Sequence, residues 1–400
     1  MKCSTLASVL FSLLPVSYII PPLVRVFGIR ISWVDCICWL ALIFLRNKWK
    51  ARRLIFWICL LGLITTVSNM YGMVTLGYGF NPKNFAIIKY IFTYLGAIAI
   101  GINLPIDKIF DNKASLPCLF ILFIMALGAA VSPDIGIFLA KVYGQENYMD
   151  VSYRLIFMDP NPNMVGQVAV VLAMMSIVSY QRLAILPLVT AGIVVILCAS
   201  RANIVILTIF ILFYFSQHGN LKRLLLILLG IVIIFTLCEV NRPLLNPLFQ
   251  RRVPRIESFR TGIVGRLYTY KQSLADFRDS PLMGKGYRKR YMIGSKYFDY
   301  AGSTTAIEAH SEWVAFLCNH GIIGFLSLCG FSYEIGRRLL EICRKSGSEK
   351  DSIKSEQVRK FLLAVYLCYL VSMIPWETLY LPIYSSFFFV CFGKIYHIKE

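Results

Sequence analysis

Twelve long apolar runs constrain this 400-residue chain more than any other feature of its sequence. Each run holds about 14 to 20 mainly apolar residues, close to the length with which an α-helix crosses the core of a bilayer. Charged residues make up 16% of the chain, whereas soluble domains carry about 25%. The predicted fold class is therefore an all-α polytopic membrane protein with about twelve transmembrane helices. The runs cover residues 6–21, 31–45, 54–71, 85–103, 116–132, 164–180, 183–200, 202–215, 224–238, 321–333, 361–374 and 381–393.

The positions of Lys and Arg predict how the chain is oriented. Basic residues crowd the even-numbered connections between runs, and cytoplasmic loops are enriched in Lys and Arg. Both termini are therefore expected in the cytoplasm. The chain divides into residues 1–239 with nine transmembrane helices, an outward-facing loop at residues 240–310, and residues 311–400 with three more helices and a cytoplasmic loop at residues 337–360.

The long outward-facing loop is strongly basic. Residues 240–310 contain thirteen Lys or Arg against five Asp or Glu. A loop of this length is translocated despite its charge, so the charge does not contradict the orientation. Anionic lipid headgroups and a polyanionic substrate would both account for the basic excess, and the composition does not separate them.

Several classes of function are excluded at this stage. The net charge of +20 comes from residues scattered between apolar runs, a distribution that fits membrane orientation and does not fit a nucleic-acid surface. Most of the twelve cysteines lie in apolar runs, where they are expected to act as small hydrophobic side chains. The motifs of zinc hydrolases, P-loop ATPases and serine hydrolases are absent from the sequence.

Three residues are candidates for chemistry. Arg201 lies between two apolar runs with almost no loop around it, where a charge is costly unless it is paired or hydrated. Arg266 belongs to a stretch, residues 265–277, whose apolar residues recur at the spacing of an amphipathic helix on a membrane surface. His310 opens an apolar helix, whose dipole favours a neutral imidazole that can accept a proton. The alternatives are an arginine snorkelling at a helix end and a structural histidine.

The motifs around these residues resemble the O-antigen ligase and polymerase family of bacterial envelope glycosyltransferases. The resemblance extends from about Asn161 to Gly324 and preserves the order and spacing of its parts. These parts are Asn161-Pro-Asn-Met-Val-Gly-Gln167, Ala199-Ser-Arg-Ala-Asn203, Gly265-Arg-Leu267, Ser280-Pro-Leu-Met-Gly-Lys-Gly286, and His310-Ser311 followed by Gly321-Ile-Ile-Gly324.

The resemblance implies a GT-C-like enzyme of the bacterial inner membrane that transfers a glycan at its outer face without a metal or other cofactor. The donor would be an undecaprenyl-pyrophosphate-linked oligosaccharide and the acceptor a sugar hydroxyl. Arg201 and Arg266 would hold the pyrophosphate, and His310 would be the base. Expected partners are membrane lipids and the flippase and chain-length regulator of the same pathway. The substrate-binding candidates are Arg260, Lys285, Asn163 and Glu377, the last of which lies beside Trp376 on an outward turn and would contact the acceptor.

Three functions stay open on the sequence alone. A polymerase would join lipid-linked repeat units to one another, and the sequence around Asn161 and Ser311 favours this reading. A ligase would pass the finished chain to the lipid A core. A flippase or transporter of lipid-linked sugars would share the basic composition, but it would be expected to show internal repeats and charges at mid-membrane depth.

Overall fold

The computed structural model describes about two thirds of the chain. It comprises residues 3–18, 20, 24–26, 29–45, 48–75, 85–105, 112–131, 162–179, 185–198, 200–217, 256–286, 290–292, 305–307, 311–344, 353–375 and 378–397.

Helices account for nearly all of the described residues. They are α1 (Cys3–Ser17), α2 (Trp33–Phe44), α3 (Arg52–Thr75), α4 (Ala86–Asn103), α5 (Asn112–Val131), α6 (Pro162–Ser179), α7 (Ile185–Leu197), α8 (Arg201–Gln217), α9 (Ile256–Asp279), α10 (Glu312–Arg344), α11 (Ile353–Ser372) and α12 (Pro382–Ile395). Short 3₁₀ turns cover Lys48–Ala51 and Thr378–Tyr380. Two small antiparallel hairpins add β1 (Val24–Val26) with β2 (Ile29–Ile31), and β3 (Arg290–Met292) with β4 (Thr305–Ile307).

The surface of this helical assembly is apolar in a way that suits lipid. Large hydrophobic side chains such as Val74, Ile43, Leu63 and Leu326 are exposed by 60% or more, whereas soluble monomers rarely present extended apolar patches. Three helices, α3, α4 and α10, are long and apolar enough to cross a membrane, and seven shorter helices are apolar as well. The helical, membrane-type fold agrees with the prediction, and the number of twelve spans stays a prediction.

Eleven of the twelve apolar runs fall on described helices, and the run at residues 224–238 lies outside the described part. The largest difference concerns α10, which begins at Glu312 and ends at Arg344, whereas the apolar run covers only residues 321–333. Together with α11, which starts at Ile353, it extends far into the charged segment that was expected to be a loop at residues 337–360.

Glycines allow the central helices to pack closely. A Cβ atom on Gly96 of α4 would overlap the backbone of Cys38 in α2, and one on Gly101 would overlap Val390 in α12. The same holds for Gly393 of α12 against Ile98 of α4. Small residues at helix interfaces let backbones approach in membranes, where van der Waals packing is a main force between helices. Helix α4 is thereby held between α2 and α12.

Candidate functional site

The segment after α9 is inserted into the middle of α10. In a regular helix the amides of Ile322 and Ile323 would donate to the carbonyls of Cys318 and Asn319. Here Ile322 N donates instead to Pro281 O at 2.8 Å and Ile323 N to Leu282 O at 3.5 Å. The two carbonyls that are left accept from Lys285 N and Gly286 N at 3.3 and 2.8 Å. We call residues 280–286 the inserted loop. For each helical hydrogen bond that is broken, the freed amide of α10 donates to a loop carbonyl, and the freed carbonyl of α10 accepts from a loop amide.

Three glycines make this insertion possible. Gly284, Gly286 and Gly321 have φ values of 67°, 73° and 64°, which residues with a Cβ adopt only at a cost. A Cβ on Gly284 would overlap the backbone of Asn319, and one on Gly321 would overlap Leu282 O. The two family motifs that carry these glycines therefore form a single junction, which fixes α9 against α10.

Helix α9 carries Arg266 next to the end of α11. Tyr270, one helical turn after Arg266 and on the same face, donates its hydroxyl to Ile374 O at 3.2 Å. Ser273 is fully buried, whereas Leu267 and Leu274 are exposed. The helix predicted for residues 265–277 lies within α9, and its position on a membrane surface stays a prediction.

The start of α10 meets the same end of α11. Glu312 N donates to Met373 O at 2.8 Å, and Ser311 Oγ donates to this carbonyl at 3.4 Å. The carboxylate of Glu312 is completely buried and accepts from Thr378 Oγ1 at 2.9 Å and from Leu379 N at 2.8 Å. We call this meeting point of α9, α10, residues 373–375 and residues 378–379 the outer junction, after the side of the membrane on which the basic connections predict it to lie.

Helix α8 runs antiparallel to α11 and begins near the outer junction. Cys368 Sγ lies 3.9 Å from Ile206 O, and the rings of Phe210 and Phe361 are in contact with centroids 6.3 Å apart. Arg201 precedes Ile206 by five residues, about 7.5 Å along a helix. Its backbone therefore lies at the level of the last turn of α11. Nothing is described of its side chain.

The predicted Asn161-Pro-Asn motif joins the start of α8. Asn203 is buried, and its Nδ2 donates to Asn163 O at 3.0 Å and to Ser200 Oγ at 2.7 Å. A Cβ on Gly166 would overlap Asn203 Nδ2. Asn163 thus contributes its backbone carbonyl to the position of α8, and its role in substrate binding stays a prediction.

Lys285 forms ion pairs with two neighbouring carboxylates. Its Nζ lies 3.1 Å from Asp276 Oδ1 and 2.5 Å from Asp279 Oδ2. Partial burial opposes the charge, but the hydrogen bonds to Asp279 and Asp276 outweigh it and raise the pKa of Lys285 above its usual value. The ammonium is therefore charged and paired with two carboxylates. Arg266, by contrast, has no carboxylate partner among the residues with described side chains.

The remaining predicted site residues lie wholly or partly outside the described structure. His310 and Glu377 lie outside the described residues, although each is adjacent to the outer junction in sequence. Arg260 lies on α9, six residues before Arg266, and nothing is described of its side chain. In the described part of the chain, no group of three or more His, Cys, Asp or Glu is arranged to hold a metal ion.

Glu312 was missed as a candidate when the sequence was considered alone. A glutamate in the first turn of a helix is common, because it faces the positive end of the helix dipole. Its two hydrogen-bond partners lie 66 and 67 residues further along the chain. The signal that could have found it is its place two residues after His310, inside a segment that is otherwise apolar.

Comparison with known proteins agrees with the motifs. The family model described as O-Antigen ligase matches residues 167–329, a segment that includes α8, α9, the inserted loop and the first part of α10. No curated protein matches the chain. The match confirms the family resemblance recognised from the motifs over residues 167–329.

Proposed function

We propose that this protein is a glycosyltransferase that joins undecaprenyl-pyrophosphate-linked repeat units at the outer face of the bacterial inner membrane, as the polymerase of an O-antigen or capsule. The observation that supports this most is the outer junction, where two segments that carry family motifs meet and a third lies at the same level. The helix of Arg266 and the start of α10 next to His310 both bond to the end of α11. The start of α8 at Arg201 lies at the same level, by its register with α11.

The chemistry follows from this set of side chains. An acceptor hydroxyl oxygen attacks the anomeric carbon of the donor, and the bond from that carbon to the pyrophosphate breaks. The hydroxyl proton goes to the imidazole of His310, and undecaprenyl pyrophosphate leaves with the negative charge. Arginine binds such an oxyanion bidentately, which suits Arg201 and Arg266. A lysine at position 201 would not reproduce this fork, so Arg201→Lys is expected to transfer poorly.

Ligation to the lipid A core is the second candidate, because the matching family model is described as O-Antigen ligase. Both activities use the same donor and differ in the acceptor. In a host with O-antigen, deletion of a polymerase gene should leave lipid A core capped with a single repeat unit. Deletion of a ligase gene should leave bare core and accumulate long lipid-linked polymer.

The deletion strain also tests the proposed base. Wild-type protein should restore long polymer, and His310→Ala at equal abundance should not. A bare core with accumulated polymer would show that the protein acts as the ligase and not as the polymerase. An unchanged envelope glycan would contradict both.

A further inference from the structure

Glu312 closes the turn that leads out of α11. Its backbone N–H bonds to Met373 O on one side of the turn, and its carboxylate Oε2 bonds to Thr378 Oγ1 and Leu379 N on the other. The link at residues 376–377 therefore lies between two flanks that are tied to one residue. Leu379 is held from a further direction, because Tyr94 Oη donates to Leu379 O at 2.5 Å.

Capping of α10 does not explain this arrangement. A helix start needs only a small polar side chain at the surface, whereas Glu312 is completely buried. Burying a carboxylate costs several kcal/mol unless it is well hydrogen-bonded. Its Oε1 atom has no hydrogen-bond partner among the described residues. The carboxylate thus holds the turn at a cost that a neutral cap would avoid.

The acceptor-side candidates lie in the sequence between the two flanks that Glu312 binds. Trp376 and Glu377 are in the link between the two flanks, and Ser311, the neighbour of His310, bonds to Met373 O beside it. Resting on the proposed function, we infer that Glu312 is a positioning residue for the acceptor side of the reaction, because it fixes Met373, Thr378 and Leu379, which flank Trp376 and Glu377 in the sequence. It acts through Thr378 and Leu379 and does not contact the donor.

The test separates donor binding from transfer. Wild-type and variant proteins are purified in lipid nanodiscs and supplied with undecaprenyl-pyrophosphate-linked repeat units isolated from the deletion strain. Polymer formation measures transfer, and the Kd for undecaprenyl pyrophosphate measures the donor site. Glu312→Ala should lower transfer at least tenfold and Thr378→Val at least threefold, with Kd within twofold of wild type. Glu312→Gln keeps an oxygen for Thr378 and Leu379 and should retain most of the transfer.

Tyr366→Phe is the matched control. Tyr366 Oη donates to Ser332 O at 2.6 Å, so this variant removes a buried hydroxyl that ties α11 to α10 away from the outer junction. It should transfer as wild type does. Thr378→Val, the milder change, decides the matter if Glu312→Ala fails to fold.

Two results would overturn the inference. One is transfer within twofold of wild type in Thr378→Val, and the other is a parallel loss of transfer, donor affinity and Tm in the variants at the junction. If wild-type protein neither extends the repeat unit nor passes it to lipid A core, the proposed function fails instead, whatever the order of the variants.

Discussion

Arg266 in α9 and Lys285 in the inserted loop are both basic candidates, and they differ in the charges that surround them. Lys285 is paired with Asp276 and Asp279, and these two negative charges would repel a phosphate beside it. Arg266 lies one helical turn before Tyr270, which contacts the outer junction, and it has no carboxylate partner among the described side chains. At the scale of single residues, Arg266 is therefore the better candidate for binding the pyrophosphate.

Arg266→Ala is expected to lower transfer by at least a hundredfold, because one lost charge-assisted contact to a developing oxyanion costs about 3 kcal/mol or more. The protein should remain in the membrane at normal abundance, since the side chain is only partly buried. Polymer on a gel, normalised to protein by immunoblot, measures this. Normal polymer from Arg266→Ala would remove the residue from the site.

Lys285→Met is expected to lower stability while leaving transfer largely unchanged, the opposite of Arg266→Ala. It leaves Asp276 and Asp279 facing each other without their shared cation, so the abundance and Tm of the protein should fall. Transfer per folded molecule should stay within about threefold of wild type, since a paired lysine adds little to anion binding. Adding Asp276→Asn to Lys285→Met should recover part of the lost stability. A large loss of transfer at unchanged Tm would return Lys285 to the substrate-binding set.

At the scale of elements, the apolar pattern predicts helices well and their ends less well. The run at residues 31–45 corresponds to α2 at Trp33–Phe44. The apolar run at residues 321–333 marks only part of α10, which begins at Glu312, close to the opening expected at His310. Glu312, Asn319 and His320 interrupt the apolar pattern, but all three are buried. A span can include such groups only when distant residues satisfy them, and those contacts are invisible in the local sequence.

The sequence predicts the single candidate residues but not how the helices that carry them pack. Arg201, Arg266 and His310 stand out by charge and position. The packing of the helix that carries Arg266 against the end of α11 depends on bonds such as that from Tyr270 to Ile374, two residues that are 104 positions apart. The motif at residues 280–286 is recognisable in the sequence, but its insertion into α10 appears only in the structure, at the break at Gly321.

The inserted loop gives a prediction at the level of elements. Gly321→Ala and Gly284→Ala place a Cβ into the backbone of the opposing segment and force a positive φ on alanine. Each should lower the free energy of unfolding by about 2 kcal/mol or more. Gly192→Ala in α7 is the control, because its Cβ would meet nothing within 4 Å and alanine favours helices by about 1 kcal/mol.

Thermal unfolding in nanodiscs measures these differences. A Gly321→Ala protein as stable as Gly192→Ala would mean that α10 is continuous and that the loop is not inserted in it.

At the scale of the whole molecule, the two ends of α10 carry different chemistry. The end at Glu312 belongs to the outer junction. The other end is a charged cluster in which Arg337 pairs with Glu334 at 2.9 Å and also with Glu341, and Tyr396 Oη donates to Glu334 at 2.8 Å. Arginine-rich helix ends face the cytoplasm in most membrane proteins. The opposite ends of α10 are therefore expected on opposite sides of the membrane.

Cysteine labelling tests this orientation. In a cysteine-free background, Ile374→Cys should react with an impermeant thiol reagent in cells whose outer membrane is permeabilised, since Ile374 is exposed at the outer junction. Lys345→Cys, four residues after Glu341 in the sequence, should react only after the inner membrane is opened. Reaction of Lys345→Cys from outside would reverse the topology and place the proposed site in the cytoplasm.

The inserted loop is also expected to make covalent continuity between α9 and α10 dispensable. Four backbone hydrogen bonds join residues 281–286 to residues 318–323, and none of them depends on the chain that connects the two segments. A protease site placed within residues 293–304 should therefore yield two fragments that purify together after cleavage. The same exchange of bonds would allow the two parts to be encoded by separate genes and still reassemble in the membrane.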